Sequence, residues 1–198
     1  MERIVHRVAR LKHLLALLAV ALPAAPALAQ SPAASPSLRP GAVAVVDVAL
    51  YTAGANLREA SDTARAVLAT SVLRGKLGEL LGPALADSAA VARLAHDPRV
   101  REVAGDNPCN VIVACVRGVG RDLGAEWVVM AKVSKTSNLI WLLTGQLVNV
   151  ASGEIVMDDS TELKGDPEPM VRAGVRIFVE RVARTVKGRA GDQRAERS

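Results

Sequence analysis

Aromatic and thiol side chains are scarce in this 198-residue chain. Phe, Trp and Tyr together account for 2% of the residues, and the chain has two cysteines and three histidines. So few aromatic side chains give no platform on which nucleic-acid bases could stack, and two cysteines cannot form the framework of a disulfide-dense small domain. Zinc and copper sites usually need clustered His or Cys ligands, which are missing here. We therefore expect no nucleic-acid partner, no metal and no cofactor.

Long apolar segments are also missing beyond the first thirty residues. No later stretch reaches transmembrane length without a charged residue, so the sequence predicts no integral membrane segment after signal cleavage. Hydrophobic residues nevertheless make up 50% of the chain and charged residues 23%. That balance is typical of a folded chain rather than a disordered one, and the length is sufficient for one domain.

The first thirty residues have the pattern of an export signal. A basic segment is followed by the uncharged run Leu14–Leu22, and the small-residue motif Ala27–Ala29 precedes Gln30. This order predicts a signal peptide over residues 1–29, cut between Ala29 and Gln30. Its removal would lower the formal net charge from +5 to +2, because it carries four basic residues and one acidic residue. We expect a periplasmic or secreted protein, in a compartment where disulfides form.

Composition and periodicity predict how the rest of the chain is organised. Residues 30–40, rich in Ser, Pro and Ala, predict a flexible linker, and the polar residues 189–198 predict a disordered tail. Between them, residues 41–188 predict a single α/β domain. The run Gly41–Leu50 is typical of a strand buried on both faces, although Asp47 interrupts it.

Capping residues and breakers predict where the helices begin and end. Ser61 is expected to cap a helix that ends near Leu80, and Asp166 with Pro167 is expected to start the last helix. Between these helices the sequence predicts a short strand and two further helices, over Ala84–Ala86, from Asp87 or Ser88 through Leu94, and from after Cys109 to near Leu123.

Three extended segments follow, over residues 126–135, 139–150 and 154–163. Their connections are short enough for hairpins, so this half of the chain predicts an antiparallel meander. The whole order predicts an α/β (α+β) fold with a mixed sheet of about five strands and helices packed on it.

The cysteine pair is the most informative local feature. In one continuous helix the Cα atoms of Cys109 and Cys115 would lie roughly 9 Å apart, which is too far for a disulfide. A disulfide therefore requires Cys109 to precede the helix, which Pro108 makes feasible. A redox or nucleophilic thiol remains the alternative, with Cys115 reduced and close to His96, but the C-x-x-C spacing of redox proteins is absent.

Several local strings carry a resemblance to a known family. They are Val43–Asp47, the spacing from Cys115 to the segment Leu123–Val129, Lys135–Ile140, and the strand-turn-strand Asn149–Val156. Taken in order, these strings resemble the exported bacterial proteins of the domain of unknown function 2380 family. The resemblance implies export and a fold similar to the amino-terminal domain of TolB and to the curli-secretion lipoprotein. It implies no catalytic residue.

Other patterns in the sequence offer weaker candidates for chemistry. The acidic stretch Asp158–Glu168 is rich in the oxygen ligands that calcium prefers, but the order of a calcium loop is missing and alternation turns Asp158 and Asp159 to opposite faces. Gly118, Gly120 and Gly124 fall within or after a predicted helix, whereas phosphate loops lie at helix starts. Neither pattern predicts a ligand site.

The remaining candidate is a surface for a partner. The candidate residues are Asn138, which ends the connection before the second extended segment, and Leu139, Ile140 and Trp141, which begin that segment. Its start is apolar on both faces, so either helices cover both faces or one face is exposed to a partner. We therefore predict a non-enzymatic accessory protein that docks an envelope protein through a sheet edge or this hairpin. The alternatives are a binder of small ligands, with a pocket under the cysteine loop, and a thiol-dependent enzyme.

Overall fold

The computed structural model describes residues 38–52 and 59–195, with side chains to residue 192. The predicted signal peptide, and the predicted linker before residue 38, lie outside these ranges. Within them, no helix combines the length and the apolar character that crossing a membrane requires.

The described part of the chain folds into five strands and five helices joined by short 3₁₀ turns. The strands are β1 (Val43–Val45), β2 (Ala49–Thr52), β3 (Trp127–Lys135), β4 (Ile140–Asn149) and β5 (Ile155–Lys164). The helices are α1 (Ala60–Leu81), α2 (Ser88–Ala95), α3 (Pro98–Arg101), α4 (Val113–Asp122) and α5 (Pro167–Ala195).

All five strands belong to one mixed sheet, which confirms the predicted fold class. The order is β1-β3-β4-β5, and β2 also pairs with β3, further along that strand than β1. β1 and β2 run parallel to β3, whereas β3, β4 and β5 form the predicted antiparallel meander.

The predicted first strand is divided in two at Asp47. This residue turns its side chain towards solvent, where its carboxylate pairs with Arg74, and its neighbours leave the regular ladder. Side chains provide hydrogen bonds to the backbone groups that leave the ladder. Asn110 Nδ2 donates to Asp47 O at 2.7 Å, and Val48 N donates to Thr70 Oγ1 at 2.9 Å. The interruption at Asp47 is therefore a bend held by two other segments, α1 and the turn that contains Asn110.

Two predictions about the region of α1 are wrong. The cap is Glu59 and not Ser61, because the Asp62 carboxylate accepts the Glu59 N–H at 2.8 Å in a reciprocal capping box. The predicted strand Ala84–Ala86 is only one bridge, at Leu85, since the chain before it forms a 3₁₀ turn that contains Pro83. Proline lacks the N–H that a ladder needs.

Helix α5 is longer than predicted. It continues to Ala195, through most of the segment for which we expected a disordered tail. The guanidinium of Arg189 lies 6.0 Å from the centre of the Trp127 ring, a contact that ties the added turns to the sheet.

The two faces of the sheet are covered differently. We call the face that carries Trp127, Val129, Trp141 and Leu147 the closed face, because α1 and α5 pack on it and bury one large core. The opposite face, which we call the half-covered face, has a smaller core. In that core, residues of α2, of α4 and of the segment between them that contains a cysteine pack over Val128, Met130 and Val148. The side chains of this face that lie beyond Met130 along β3, away from β1, do not belong to that core.

Candidate functional site

The disulfide lies at the edge of the half-covered face. Cys109 and Cys115 are bonded, with Cα atoms 5.2 Å apart. Cys109 is in a 3₁₀ turn and α4 begins only at Val113, so the bond closes because Cys109 precedes the helix, as predicted. The thiol-dependent alternative requires a free Cys115, and neither sulfur of this pair is free in the structure.

A cavity of about 230 Å³ lies beside the disulfide loop. Its apolar part comes from Val46 after β1, from α2 and from the loop, and its polar part from Asp47, Arg74, Arg101, His96 and Asn110. The His96 ring is held at 2.8 Å from Ala92 O by its Nδ1, at the end of α2. The small-ligand alternative thus has a pocket where the sequence placed it, although no ligand is established.

A groove of about 610 Å³ adjoins this cavity. It runs between the segment Asp47–Leu50 and one side of α1. The two hollows share Asp47, Arg74, Pro108 and Asn110, so they adjoin, and we call them together the cleft.

Arg74 organises the junction of the two hollows. Its Nη2 donates to Val45 O at 3.1 Å and pairs with Asp47 Oδ1 at 2.9 Å. Its Nε is buried, as is Asn110 Oδ1, and neither atom has a hydrogen-bond partner among the described residues. The sequence analysis missed Arg74, because its partners lie 27 and 29 residues away and its spacing matches no motif.

The four residues proposed from the sequence as a partner surface are separated by the structure. Leu139 is 75% exposed and Ile140 37% exposed, and Asn138 beside them is also exposed. Trp141 is 1% exposed and belongs to the core of the closed face. Three of the four residues therefore lie at the surface, and the fourth is covered.

Strand register adds residues that the sequence analysis did not select. Tyr51, Ser134, Leu142 and Glu162 are paired in succession across four strands, so their side chains leave the sheet on the same face. That face is the half-covered one, and Tyr51 is 58% exposed on it. We call Tyr51, Leu139, Ile140 and Leu142 the open sheet patch.

A buried charge network lies under the opposite face. Lys135, 1% exposed, places its Nζ 2.8 Å from Glu59 Oε1 and 3.3 Å from Asp62 Oδ2. Asp62 is fully buried and also pairs with Arg65 at 2.5 Å. The Arg65 guanidinium lies 4.8 Å from the centre of the Trp141 ring.

The pKa shifts in this network follow from its contacts. Burial by itself raises the pKa of Asp62, but the hydrogen bond from the Glu59 N–H and the charges of Lys135 and Arg65 outweigh it, so the pKa lies below 3.8. The hydrogen bond to Glu59, followed by the interactions with Asp62, holds the pKa of Lys135 above 10.5. Both shifts favour the charged form of the group, so the contacts stabilise the ion pairs of the network.

The weaker candidates from the sequence have structural partners. Within the acidic stretch, Asp159 pairs with Arg181 at 2.7 Å and Asp158 accepts from Gln146 at 3.0 Å. Across the described residues, no group of three or more His, Cys, Asp or Glu side chains is placed to hold a metal. A Cβ at Gly120 would lie 2.6 Å from Val128, so this glycine allows α4 to pack closely on the sheet.

A family model matches residues 41–182, which is most of the chain. The chain belongs to the DUF2380 family of proteins of unknown function. The family assignment agrees with the strings identified in the sequence, and the matched residues include the cleft, the disulfide and the open sheet patch. No functionally curated protein matches the chain.

Three of the solved structures that match part of the chain come from bacteria. The LpoB C-terminal domain from Escherichia coli is 25% identical, and the match covers 64% of this chain and 84% of that domain, with a TM-score of 0.43. The Salmonella enterica domain is 21% identical over 65% and 86%, also at 0.43. Lipoprotein GNA1162 from Neisseria meningitidis is 13% identical over 73% and 97%, again at 0.43. The likeness to TolB remains a prediction.

Proposed function

We propose that this protein is an exported, non-enzymatic accessory protein that docks another protein of the bacterial envelope. The observation that carries the proposal is the open sheet patch. Four apolar side chains lie on or beside the part of the half-covered face that lies outside the core formed with α2 and α4, whereas the other face is covered by two long helices. An apolar surface of this kind is typical of an interaction site.

The location proposed for the protein rests on two features. The first is the signal peptide pattern, with cleavage between Ala29 and Gln30. The second is the disulfide, which is rare in proteins of the reducing cytosol. Sequencing the amino terminus of protein recovered from the periplasm or the medium tests this part: Gln30 is expected first, and a retained Met1 would contradict export with cleavage.

The absence of enzymatic activity is part of the proposal. Both cysteines are bonded, and Asp62 and Lys135, whose pKa values are shifted by the contacts of an internal network, pair with each other in that network. These features support a protein that acts through its surface.

Site-specific photo-crosslinking in intact cells tests the docking surface. A photoreactive amino acid at Leu139 or at Tyr51 is expected to yield the same discrete adduct, because the two side chains belong to one patch. Ile177 on α5 is the matched control, since it is apolar and 41% exposed but lies on the helix that covers the closed face. An adduct of equal yield at Ile177, or none at the patch positions, would contradict the proposal.

A further inference from the structure

The groove between β2 and α1 has the walls of a peptide-binding groove. One wall is the strand segment Asp47–Leu50. The other wall is a single stripe of α1, with residues spaced by three or four positions, namely Thr63, Ala66, Val67, Thr70, Ser71 and Arg74. The lining is small, apolar or hydroxylic along its length, and charged only at the end that holds Asp47 and Arg74.

The strand wall of the groove has an unpaired backbone edge. β2 pairs with β3 and with no other described strand. Outside that ladder, no hydrogen bond among the described residues involves the backbone of Ala49–Thr52. Because a parallel ladder uses the N–H and C=O groups of alternate residues, half of the β2 backbone groups point away from β3. Such an edge takes up an extended segment by strand addition.

The end of the groove carries excess positive charge. Arg74 and Arg101 both line the cavity into which the groove leads, and Asp47 is the only carboxylate among the residues that line it. Asp47 pairs with Arg74, whereas no described carboxylate lies within 4 Å of Arg101. The cavity also contains the amide of Asn110 and the ring of His96. This combination can accept one further negative group.

We infer that the cleft binds the free carboxyl terminus of a partner polypeptide. The last three or four residues add to β2 as an antiparallel strand, and the terminal carboxylate lies at Arg74 and Arg101. The antiparallel direction follows because the charged end of the groove is at Asp47, before β2 begins. Four strand residues span roughly 13 Å, which sets the length of peptide that pairs.

The lining of the groove also predicts the residues that precede the carboxylate. Val67 is 64% exposed on the helix wall, and Leu50 is half-buried on the strand wall. Small and β-branched side chains, such as Val and Thr, fit between these walls and favour an extended backbone. This site is separate from the open sheet patch and does not depend on it.

Peptide titrations followed by ¹H–¹⁵N NMR test the inference. The probe is acetyl-Thr-Val-Thr-Val with a free carboxylate, compared with the same peptide as its carboxamide and with sodium acetate. The free acid is expected to shift the amide signals of Val48–Thr52 and Thr63–Arg74, and amidation is expected to weaken binding at least tenfold, through the loss of charge-assisted hydrogen bonds.

Each of the other results overturns the inference. Equal affinity for the carboxamide removes the role of the carboxylate, and equal shifts with acetate assign the cavity to small carboxylates instead of a chain terminus. If millimolar free-acid peptide shifts none of these amide signals, the groove does not bind a free carboxyl terminus.

Two exposed positions locate the site without disturbing the fold. Val67→Lys is expected to weaken free-acid binding at least tenfold by blocking the helix wall. Val103→Lys, the matched control, is expected to leave it unchanged, since Val103 is 59% exposed and lines neither hollow of the cleft. Arg101→Gln is expected to weaken the free acid but not the carboxamide. Unchanged binding in both Val67→Lys and Arg101→Gln would contradict the assignment.

Discussion

Trp141 and Leu142 are neighbours in β4, yet they enter two different environments. Trp141 is 1% exposed and packs in the core that α1 and α5 form on the closed face. Leu142 is only partly buried, in the open sheet patch, and belongs to neither core. The closed face holds 25 buried residues in one cluster against 14 on the other face, so most of the fold's stabilisation comes from one side.

Under the proposed function, the difference between the two faces separates stability from recognition. Long helices on the closed face bury its apolar surface and its charges. The half-covered face relies on short helices and a disulfide over part of its area, and the rest of that area is partly exposed. A protein that acts through its surface needs this division, because a docking face cannot also be buried in its own core.

Truncating the two neighbours in β4 is the strongest test of this comparison. Trp141→Ala is expected to lower the free energy of unfolding by about 4 kcal/mol, because a fully buried indole is lost and a cavity remains. Leu142→Ala is expected to cost about 1 kcal/mol, since part of its surface is already in water. Urea denaturation followed by circular dichroism measures both, and equal losses would show that the two faces contribute alike.

The buried charges allow a second test of the closed face. Asp62→Asn is expected to lower the free energy of unfolding by about 3 kcal/mol, because it removes the charge that faces buried Lys135. Glu59→Gln is the control, since its side chain is 54% exposed and it also pairs with Lys135. Its loss is expected to stay below about 1 kcal/mol in the same urea titration. A larger loss in Glu59→Gln than in Asp62→Asn would show that the exposed carboxylate, and not the buried one, supplies most of the network's stabilisation.

The pH dependence of unfolding sharpens the test of Asp62. The pKa of Asp62 in the folded protein lies below its ordinary value of 3.8, so the ionised carboxylate stabilises the fold fully above that ordinary value. This stabilisation is lost as the pH falls through the pKa of the folded protein. The raised pKa of Lys135 keeps its contribution present below pH 10.5 and removes it only at higher pH. The stability of Asp62→Asn should therefore fall less on acidification than that of the wild-type protein. An equal fall in the two proteins would contradict the assignment.

Local patterns predicted the meander and the disulfide because both depend on short stretches of chain. Alternating apolar residues and short turns define three consecutive strands, and Cys109 lies in a turn that precedes α4. The pairing of β1 and β2 with β3 joins segments about 80 residues apart, and no local signal encodes it.

The groove along α1, the position of Arg74 and the charge network could not be predicted for the same reason. Asp62 and Lys135 are 73 residues apart in the sequence. Lys135 lies on the apolar face of β3, and a lysine at that position was the only feature of the sequence that indicated a buried acidic partner. Arg74 and Asp47 meet because α1 crosses the break between β1 and β2, and that break was itself predicted only as an interruption near the end of a strand.

Removing the disulfide tests the half-covered face. Reduction, or replacing both Cys109 and Cys115 with Ala, is expected to lower the free energy of unfolding by about 2 kcal/mol through the larger conformational freedom of the unfolded chain. Hydrogen exchange should quicken in α4 and in the loop before it, and stay unchanged in α1 and α5. Faster exchange throughout α5 would show that the disulfide supports the whole molecule.

The smallest expected effect concerns a charge pair on the outside of the closed face. Glu168 and Arg172 are paired at 2.9 Å on α5, with side chains 62% and 53% exposed. Arg172→Met is expected to cost about 0.4 kcal/mol at low salt, because water screens the pair and ordering two long side chains offsets part of the attraction. At 1 M NaCl the screening length falls to about 3 Å, so the wild-type protein and the variant should then unfold at the same urea concentration. Asp62→Asn should keep most of its loss at that salt concentration, because its partner is buried. If high salt removed the loss of stability in both variants, burial would not explain why the buried charges contribute more to stability than the exposed pair.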